Sequence, residues 1–487
     1  MELTPGSKAV VEVHDLAVGG EAVGRVDNFV VFVPNAAPGD QLEIEIDELK
    51  KNYARGHISR ILRPSPERVQ PRCPIYYDCG GCQLQHMSYE AQLRFKTKMV
   101  ADSLQHVGGL DGIVVHPCIP MGDPWLYRNK VQAVVAAKPY LKESGTAPPR
   151  AQPAPPSRPG LATGAPAEEP PSQRFKPYIG LYAQGSHRVV KMEECLIQDP
   201  VNNEILQAAR EGLERLGWPV YNEQDGSGLV RYLLVRTSLS TRQALLVLVA
   251  SQPRLPHVQE FITFMRGRCK ALVGVLLNLN PHRTNVILGS RNQLLWGKDH
   301  VIEEVSGLKF SISPASFFQV NTRGLEALYK ILDGYCELRG KETVLDAYCG
   351  VGSIALYLAR RARKVVGIDE SGPAIEDAVV NSDLNQLGNV DFLAGTVEKV
   401  LPGLYQKGMR FHLAALDPPR KGCDPEVLHT LAKMRIPELI YISCNPSTLA
   451  RDLALLAQEG YRTREVQPLD MFPQTYHVES VARLSRR

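Results

Sequence analysis

The carboxyl-terminal part of the sequence alternates between short apolar strands and helical stretches, and this alternation constrains the fold more than any other feature. Residues 343–346 predict a strand, residues 353–361 a helix, and residues 364–369 a second strand that another helix follows. Strands that alternate with helices form a mainly parallel sheet with helices on both faces. We therefore predict a fold of the α/β class, with a doubly wound domain over residues 311–487.

The amino-terminal residues 1–64 show a different pattern. Short apolar stretches at residues 9–11, 29–33 and 42–46 are broken by glycine, asparagine and proline, which predicts a small all-β barrel. The end of this region and the residues after it are basic, with Glu67 as the only acidic residue among Arg55, His57, Arg60, Arg63, Arg68 and Arg72. Such a charge run is most often a solvated surface, but beside a small barrel it also suits a phosphate backbone.

Residues 65–310 predict a central α+β domain. Strand-like runs at residues 232–236 and 244–250 precede a helical stretch at residues 258–266. Strands are also expected within residues 128–140 and 175–190, where they should face each other.

Between those two strands lies a segment, residues 146–171, that is rich in Pro, Ala, Ser and Gly. This composition cannot bury enough apolar surface to offset its ordering entropy. We predict a disordered insertion over residues 143–174, which a surface hairpin tolerates because closure entropy grows slowly with loop length.

The composition limits the possible function classes. With 487 residues, 44% of them hydrophobic and 22% charged, the chain fits a globular protein of several domains. Its net charge of +4 permits a local nucleic-acid-binding patch but does not require one. No apolar run approaches the roughly 18 residues of a spanning helix, and Met1–Lys8 lacks a signal pattern, so we expect a cytoplasmic protein with no membrane partner. Its ten cysteines should then be reduced, and clustered ones should indicate a metal.

One such cluster is Cys73, Cys79 and Cys82, spaced C-x5-C-x2-C, with Cys195 as a plausible fourth member. Four thiolates can close a tetrahedral shell around an iron–sulfur cluster or a zinc ion, and the spacing does not decide between them. The alternative is a set of unrelated core thiols, although three cysteines beside two glycines seldom serve packing.

A second motif combines a glycine turn with two carboxylates. Asp346 ends a predicted strand, Gly350 and Gly352 follow before a helix, and Asp369 ends the next strand. Glycines let the backbone approach a ligand, and a carboxylate at the second strand end can accept hydrogen bonds from ribose hydroxyls. Because the turn lacks the third glycine of the dinucleotide motif, the pattern favours S-adenosylmethionine over NAD.

A third motif, Asp417-Pro418-Pro419-Arg420, follows another apolar stretch. In methyltransferases that modify exocyclic amines an aromatic residue usually follows the two prolines, and Arg420 at that position disfavours such a reaction. Read alone, the motif could also be an ordinary turn at a strand end.

Two further residues are candidates for catalysis. Cys444 ends an apolar strand at the carboxyl edge of the predicted sheet, where open α/β folds bind their ligands. A lone cysteine is more often a small buried hydrophobe than a nucleophile. Glu479, near the carboxyl terminus, is either a general base or a surface charge.

Together these motifs resemble the RNA (uracil-5-)-methyltransferase family, most closely its 23S ribosomal RNA members with a TRAM domain and a four-iron, four-sulfur cluster. The resemblance implies a TRAM barrel over residues 1–64 and a Rossmann-like, S-adenosylmethionine-dependent methyltransferase domain over residues 311–487. It also implies cluster ligands, which are Cys73, Cys79, Cys82 and Cys195. The C-x5-C-x2-C spacing differs from the C-x3-C-x2-C of radical enzymes, so the cluster should be structural or contact RNA.

Carried over residue by residue, the resemblance assigns roles within the site. Cys444 is the implied nucleophile, Glu479 the implied base, and Phe317 the side chain that stacks on the target uracil. The cofactor and base site is implied to contain Gln319, Tyr348, Gly350, Gly352, Asp369 and Asp417. The family usually has Glu where Asp369 stands, and the Pro/Ala-rich insertion is not a general family feature, which leaves RNA contacts near Arg128 open.

The implied reaction is methylation of carbon 5 of a uridine through a covalent adduct of Cys444 with carbon 6. The implied substrate is RNA, with 23S ribosomal RNA favoured over transfer RNA, and no obligatory protein partner is evident. Other functions that remain open are methylation of another base or of protein, a zinc-stapled RNA-binding module, and electron transfer.

Overall fold

The computed structural model describes residues 3–138, 176–314 and 316–486. The insertion predicted over residues 143–174 lies outside the described residues. Among those that are described, no helix is both long and apolar enough to cross a bilayer.

The amino-terminal strands form a closed barrel in the order β1-β2-β3-β5-β4, as the sequence predicts. The strands are β1 (Lys8–Leu16), β2 (Ala22–Val26), β3 (Phe29–Val33), β4 (Gln41–Leu49) and β5 (Tyr53–Arg63). Alternate residues of β1 are buried, and antiparallel pairing of β1 with β4 closes the barrel.

A central sheet with the order β13-β12-β11-β10-β7-β8-β9 follows. Its strands are β7 (Lys130–Lys138), β8 (Lys176–Tyr182), β9 (Val189–Lys191), β10 (Val230–Thr237), β11 (Ala244–Ala250), β12 (Leu272–Leu279) and β13 (Arg291–Gly297). Helices α2 (Pro200–Leu216) and α3 (Val258–Arg268) pack against it. The antiparallel pairing of β7 with β8 confirms that the predicted strands on either side of the insertion face each other.

The carboxyl-terminal sheet has the order β18-β17-β16-β19-β20-β22-β21-β6. Its strands are β6 (Val114–Val115), β16 (Thr343–Ala347), β17 (Lys364–Asp369), β18 (Val390–Ala394), β19 (Leu413–Leu416), β20 (Glu438–Ser443), β21 (Tyr461–Leu469) and β22 (Glu479–Arg486). Strands β16 to β20 are parallel, whereas β22 is antiparallel to both β20 and β21. This confirms the predicted α/β class.

Helices cover this sheet, and a hairpin of β14 (Val301–Val305) and β15 (Leu308–Ile312) precedes it. The helices of this part are α4 (Thr322–Tyr335), α5 (Ser353–Ala359), α6 (Gly372–Leu384), α7 (Val397–Gln406), α8 (Pro425–Lys433) and α9 (Pro446–Gln458). The strand order changes direction between β16 and β19, and ligands bind outside the carboxyl ends of strands at such a point.

Two elements from the predicted central region pack with the carboxyl-terminal sheet. Helix α1 (Tyr89–His106) contacts α9, and β6 pairs with β21 in parallel. The predicted domain division at residues 64 and 310 therefore separates elements that share one core. Such pairing between distant segments has no local signal in the sequence.

Candidate active site

The glycine turn after β16 adopts a backbone that side chains rarely allow. Tyr348, Gly350 and Gly352 have φ values of 68°, 54° and 83°. A Cβ atom added at Gly352 would lie 2.9 Å from the ring of Phe392, so glycine is also required by space. A Cβ added at Gly350, by contrast, would meet nothing within 4 Å, so there is open space beside this part of the turn.

Asp369, at the end of β17, is held beside this turn. Its Oδ2 accepts a hydrogen bond from the backbone N–H of Gly350 at 2.9 Å, and its Oδ1 accepts one from Ser371 at 2.8 Å. The carboxylate is partly exposed and retains lone pairs for a ligand. This is the position from which a carboxylate reaches ribose hydroxyls in nucleoside sites.

Asp346 lies deeper, fully buried within β16. Neither of its carboxyl oxygens has a hydrogen-bond partner of normal geometry in the described part of the chain. Burial, together with the carboxyls of Asp417 and Asp369, raises the pKa of Asp346 well above its usual value. An unpartnered carboxyl next to an open glycine turn fits a bound polar ligand, and S-adenosylmethionine carries the ribose and amine such a site needs.

Cys444 and Glu479 are brought together by strand pairing. The register of β20 and β22 places Ser443 opposite Ser480, so the next residues along, Cys444 and Glu479, are neighbours at the carboxyl edge of the sheet. Glu479 is buried, and its Oε1 has no hydrogen-bond partner among the described residues. A thiol and an unpartnered carboxyl therefore share one corner of the site.

The charges around Cys444 adjust both groups. Burial raises the pKa of the Cys444 thiol to about 11; Glu479 and Asp417 add to this shift, and Arg420 opposes it. Burial and Asp417 likewise raise the pKa of Glu479 well above its usual value. Burial raises the pKa of Asp417 itself to about 7. Arg420 is the cation that can favour a thiolate here.

The turn that carries Arg420 is fixed against the segment after Cys444. The backbone carbonyl of Arg420 accepts hydrogen bonds from Asn445 Nδ2 at 3.1 Å and from Thr448 Oγ1 at 3.3 Å. Its guanidinium Nη2 lies 3.3 Å from Nε2 of His477. The sequence motif placed Arg420 after a strand but did not predict its contacts with Asn445 and His477, which form only where separate strand ends meet.

The loop from Asp470 to Val478, which we call the base loop because it leads to the predicted base Glu479, is anchored by the amino-terminal half of the chain. Lys96 in α1 forms an ion pair with Asp470, Nζ to Oδ1 2.5 Å, and donates to the carbonyl of Phe472 at 3.1 Å. Gln92 Nε2 donates to the side-chain Oε1 of Gln474 at 3.1 Å. No sequence signal pointed to these anchors, since the partners are far apart in the chain.

Phe317 and Gln319 belong to a loop that bridges the central and carboxyl-terminal sheets. Phe317 is 65% exposed, whereas Gln319 is buried, and its backbone carbonyl accepts from Asn129 Nδ2 at 3.0 Å. Asn321 Nδ2 donates to the carbonyl of Met471 in the base loop at 3.0 Å. An exposed phenylalanine on an anchored loop can stack on a base.

The four predicted ligands, Cys73, Cys79, Cys82 and Cys195, line one cavity of about 290 Å³, together with Phe317 and Arg128. Burial raises the pKa of Cys82 to about 12, with Cys195 and Cys79 adding to the shift, and raises the pKa of Cys195 to about 11. Arg128 lowers the pKa of both thiols. Cys195 is distant in sequence from the other three cysteines, and the fold places it in the same cavity.

No group of three or more His, Cys, Asp or Glu side chains in residues 3–138, 176–314 and 316–486 has the arrangement that holds one metal ion. The cysteine cavity nevertheless places four thiols in one lining, and thiolates are the ligands of both iron–sulfur clusters and structural zinc.

The predicted residues thus form three neighbouring groups. Tyr348, Gly350, Gly352, Asp369 and Asp417 surround the glycine turn, and Cys444 lies with Glu479 at the adjacent strand ends. Phe317 and Arg128 line the cysteine cavity instead. Arg128 lowers the pKa of His477, and His477 contacts Arg420, so His477 connects the cysteine cavity with the corner that holds Cys444.

Comparison with known proteins gives two family matches. Residues 282–487 match the model of the tRNA (Uracil-5-)-methyltransferase family, and residues 2–59 match that of the TRAM domain. A Clostridium tetani protein named as an uncharacterized RNA methyltransferase is 40% identical over 95% of this chain and 93% of its own length. A Halalkalibacterium halodurans protein of the same description is 39% identical over 97% of this chain and 95% of its own.

A solved structure is also similar over nearly the whole chain. The tRNA (uracil-54, C5)-methyltransferase of Pyrococcus abyssi, in complex with S-adenosyl-L-homocysteine, superposes with a TM-score of 0.70 and 26% identity. The match covers 97% of this chain and 99% of that one. The similarity therefore includes the barrel and central sheet as well as the carboxyl-terminal domain.

Proposed function

Since the chain belongs to the S-adenosylmethionine-dependent RNA (uracil-5-)-methyltransferase family, we propose that it methylates carbon 5 of a uridine in 23S ribosomal RNA through a covalent adduct with Cys444. The observation that carries the proposal is the pairing of Cys444 with Glu479 at the sheet edge that also holds the glycine turn. A nucleophile and a base on one side of a nucleoside site are what this reaction requires.

The nucleophile is needed because uracil carbon 5 is a poor nucleophile, its electrons being conjugated with the 4-carbonyl. Addition of the Cys444 thiolate to carbon 6 forms a carbon–sulfur bond and concentrates electron density on carbon 5. Arg420 favours the thiolate over the thiol, since it lowers the pKa of Cys444. S-adenosylmethionine, which Asp369 and the glycine turn would hold, would supply the methyl group: carbon 5 takes the methyl, the methyl–sulfur bond breaks, and S-adenosylhomocysteine leaves.

Glu479 completes the reaction. Carbon 5 then carries both the methyl group and its original proton; removal of that proton by Glu479 lets the carbon 6–sulfur bond break and returns the thiolate. A carboxylate with a raised pKa is a stronger base once ionised, and the unpartnered Oε1 is free to accept the proton.

The target uridine must leave its stack to reach Cys444. Phe317, exposed on its anchored loop, would take the place of a lost stacking partner. Arg128, in the cavity next to Phe317, would contact the adjoining backbone. The TRAM barrel, with basic residues on β5, would add salt-dependent phosphate contacts. A ribosomal RNA substrate also implies a cytoplasmic location.

The four cysteines of the cavity would hold a four-iron, four-sulfur cluster. The presence of all four thiols in the lining of one cavity supports this assignment, and four protein ligands would leave no iron open to substrate. Anaerobic purification followed by visible absorbance and by iron and zinc analysis tests it. A zinc content of one per chain without iron would overturn it.

Transfer RNA is the alternative substrate. The similar Pyrococcus abyssi enzyme is named for uridine 54 of tRNA, which favours this reading, whereas the resemblance of the barrel and cysteine set to ribosomal members favours 23S RNA. Mass-spectrometric mapping of 5-methyluridine in both RNA pools, from cells with and without the gene, separates them. Loss in ribosomal RNA is the expected result; unchanged 5-methyluridine in both pools would overturn the function.

Two variants test the adduct within the same assay. Cys444→Ala should abolish both turnover and covalent complex, because no thiolate can add to carbon 6. Glu479→Gln should transfer the methyl group but accumulate a protein–RNA adduct, visible as a shifted band on a denaturing gel. Turnover by Cys444→Ala at the wild-type rate would eliminate the covalent route.

A further inference from the structure

We infer that an open pocket beside the catalytic corner binds an unstacked RNA base next to the target nucleotide, an inference that rests on the proposed RNA substrate. The pocket has a volume of about 520 Å³, and its lining includes Gln83, Tyr182, His187, Tyr476 and His477. We call it the flanking-base pocket.

Two pairs of rings dominate this pocket. The rings of Tyr182 and His187, in the β8–β9 hairpin, have centroids 5.2 Å apart, and those of Tyr476 and His477, in the base loop, have centroids 4.1 Å apart. Aromatic faces that are partly exposed to solvent are surfaces on which any nucleobase can stack. Rings contributed by two separate segments can contact both faces or both edges of one base.

The two walls are held in place by the segment that follows Cys79. The backbone N–H of Gly80 donates to the carbonyl of Tyr182 at 3.0 Å, and a Cβ added at Gly80 would lie only 2.8 Å from that oxygen. Gln83 N–H donates to the carbonyl of Gln474 in the base loop at 3.1 Å. Because Gly80 has no side chain, the segment from Gly80 to Gln83 can contact both the β8–β9 hairpin at Tyr182 and the base loop at Gln474.

The hairpin rings are also oriented by a shared carboxylate. Tyr182 Oη donates to Glu223 Oε1 at 2.9 Å, and Nδ1 of His187 lies 3.2 Å from Glu223 Oε2. These contacts fix two rings at a surface where unrestrained side chains would turn freely. Ring order before binding lowers the entropy cost of stacking.

The pocket is continuous with the catalytic corner. His477 Nε2 lies 3.3 Å from Arg420, the residue that lowers the pKa of the Cys444 thiol. Burial lowers the pKa of His477 to about 4, so its ring is neutral near pH 7 and can stack or accept a hydrogen bond. A nucleotide bound next to a uridine at Cys444 would therefore meet these rings.

The expected occupant of the pocket is a base next to the target uridine. When the target uridine leaves its stack, its neighbours lose a stacking partner, and single-stranded RNA is recognised mainly by aromatic side chains that replace such contacts. The flanking-base pocket would thus add both affinity and sequence context to the reaction.

The test first asks which transcript, unmodified 23S ribosomal RNA or transfer RNA, receives methyl groups from the wild-type protein. A short fragment of that RNA, with 2-aminopurine beside the methylated uridine, then reports stacking as a fall in fluorescence on binding. His187→Ala and Tyr476→Ala should weaken this quenching and raise KM for RNA by about tenfold, as expected for one lost stacking contact. In His187→Ala, which lies outside the base loop, kcat at saturating RNA and KM for S-adenosylmethionine should be unchanged, and Tyr476→Phe should behave as wild type.

A matched control is His429→Ala, on α8. Like His187, its imidazole is paired with a glutamate, at 3.0 Å, and its side chain is 44% exposed against 63% for His187. It should leave KM and quenching unchanged. Because the side chain of His187 is 63% exposed and that of Tyr476 is partly buried, His187→Ala should fold even if Tyr476→Ala does not.

The outcomes are distinct. Wild-type KM and quenching in both alanine variants would overturn the pocket while leaving methylation intact. A loss confined to kcat in His187→Ala would also overturn it, because that points to the catalytic groups. If the wild-type protein methylates neither transcript, the proposed function itself fails, and the pocket loses its occupant with it.

Discussion

The buried ion pair between Lys96 and Asp470 allows a quantitative test of how the base loop is held. Both side chains have no solvent exposure, and Lys96 also donates to the carbonyl of Phe472. In Lys96→Met a side chain of similar length remains, but the Asp470 carboxylate is left buried without its cation. Removing one partner of a buried pair costs about 3–5 kcal/mol, and we expect the free energy of unfolding to fall by that amount.

The same variant should also affect catalysis. Because Asp470 begins the loop that leads to Glu479, loss of the anchor should lower kcat for methylation. The affinity for S-adenosylmethionine should persist, since the glycine turn is held by Asp369, which accepts a hydrogen bond from Gly350. Urea unfolding followed by circular dichroism, and single-turnover methylation on the same preparations, measure the two effects.

Two further variants complete the test. Lys96→Met combined with Asp470→Asn removes both charges and should recover most of the lost stability. Lys98→Met is the matched control in α1, because Lys98 is 52% exposed and its ion pair with Asp15 should contribute at most about 1 kcal/mol. If Lys96→Met unfolds at the wild-type urea concentration, or if the double variant is no more stable than the single one, the anchoring argument is refuted.

The remaining predictions concern the thiol, the glycine turn and the cysteine cavity. Because burial raises the pKa of Cys444 to about 11, the thiolate fraction grows with pH below that value, and kcat/KM should rise from neutral to alkaline pH. Arg420→Gln should shift this rise to higher pH, because Arg420 lowers the pKa of the thiol. A flat wild-type profile would contradict the assignment of Cys444 as the nucleophile. Gly352→Ala introduces a Cβ 2.9 Å from the Phe392 ring at a φ of 83°, so the free energy of unfolding should fall by about 1–2 kcal/mol in urea unfolding; wild-type stability would refute the close approach to Phe392. Cys195→Ser should lower the iron content of anaerobically purified protein, whereas Cys269→Ser, buried beside α3, should not; equal iron loss in both would argue against a local cluster.

The sequence predicted the features that local pattern determines. Alternation of apolar residues with turns specified the amino-terminal barrel, and strand–helix alternation specified the carboxyl-terminal sheet. Because the carboxyl ends of parallel strands meet at one edge, the positions of Asp369, Asp417 and Cys444 after their strands were enough to bring them together. The roles assigned to these residues stay predictions until the variants are measured.

Features that depend on distant pairing were not predictable in this way. Lys96 and Asp470 are 374 positions apart, and neither belongs to a motif that would connect them. The pairing of β6 with β21 and the contact of Arg420 with His477 likewise arise only when separate segments meet. Each of these contacts depends on how distant elements pack together, and a local sequence pattern carries no information about such packing.

The antiparallel pairing of β20 with β22 has a consequence for how the protein can vary. The Ser443–Ser480 register is held by main-chain hydrogen bonds, so the backbones of Cys444 and Glu479 stay side by side whichever side chains surround them. Exchanges at neighbouring positions can therefore change charge and shape without moving these two backbones apart. A one-residue insertion within β22, by contrast, would turn the carboxylate to the opposite face of the sheet and leave Cys444 without the predicted base.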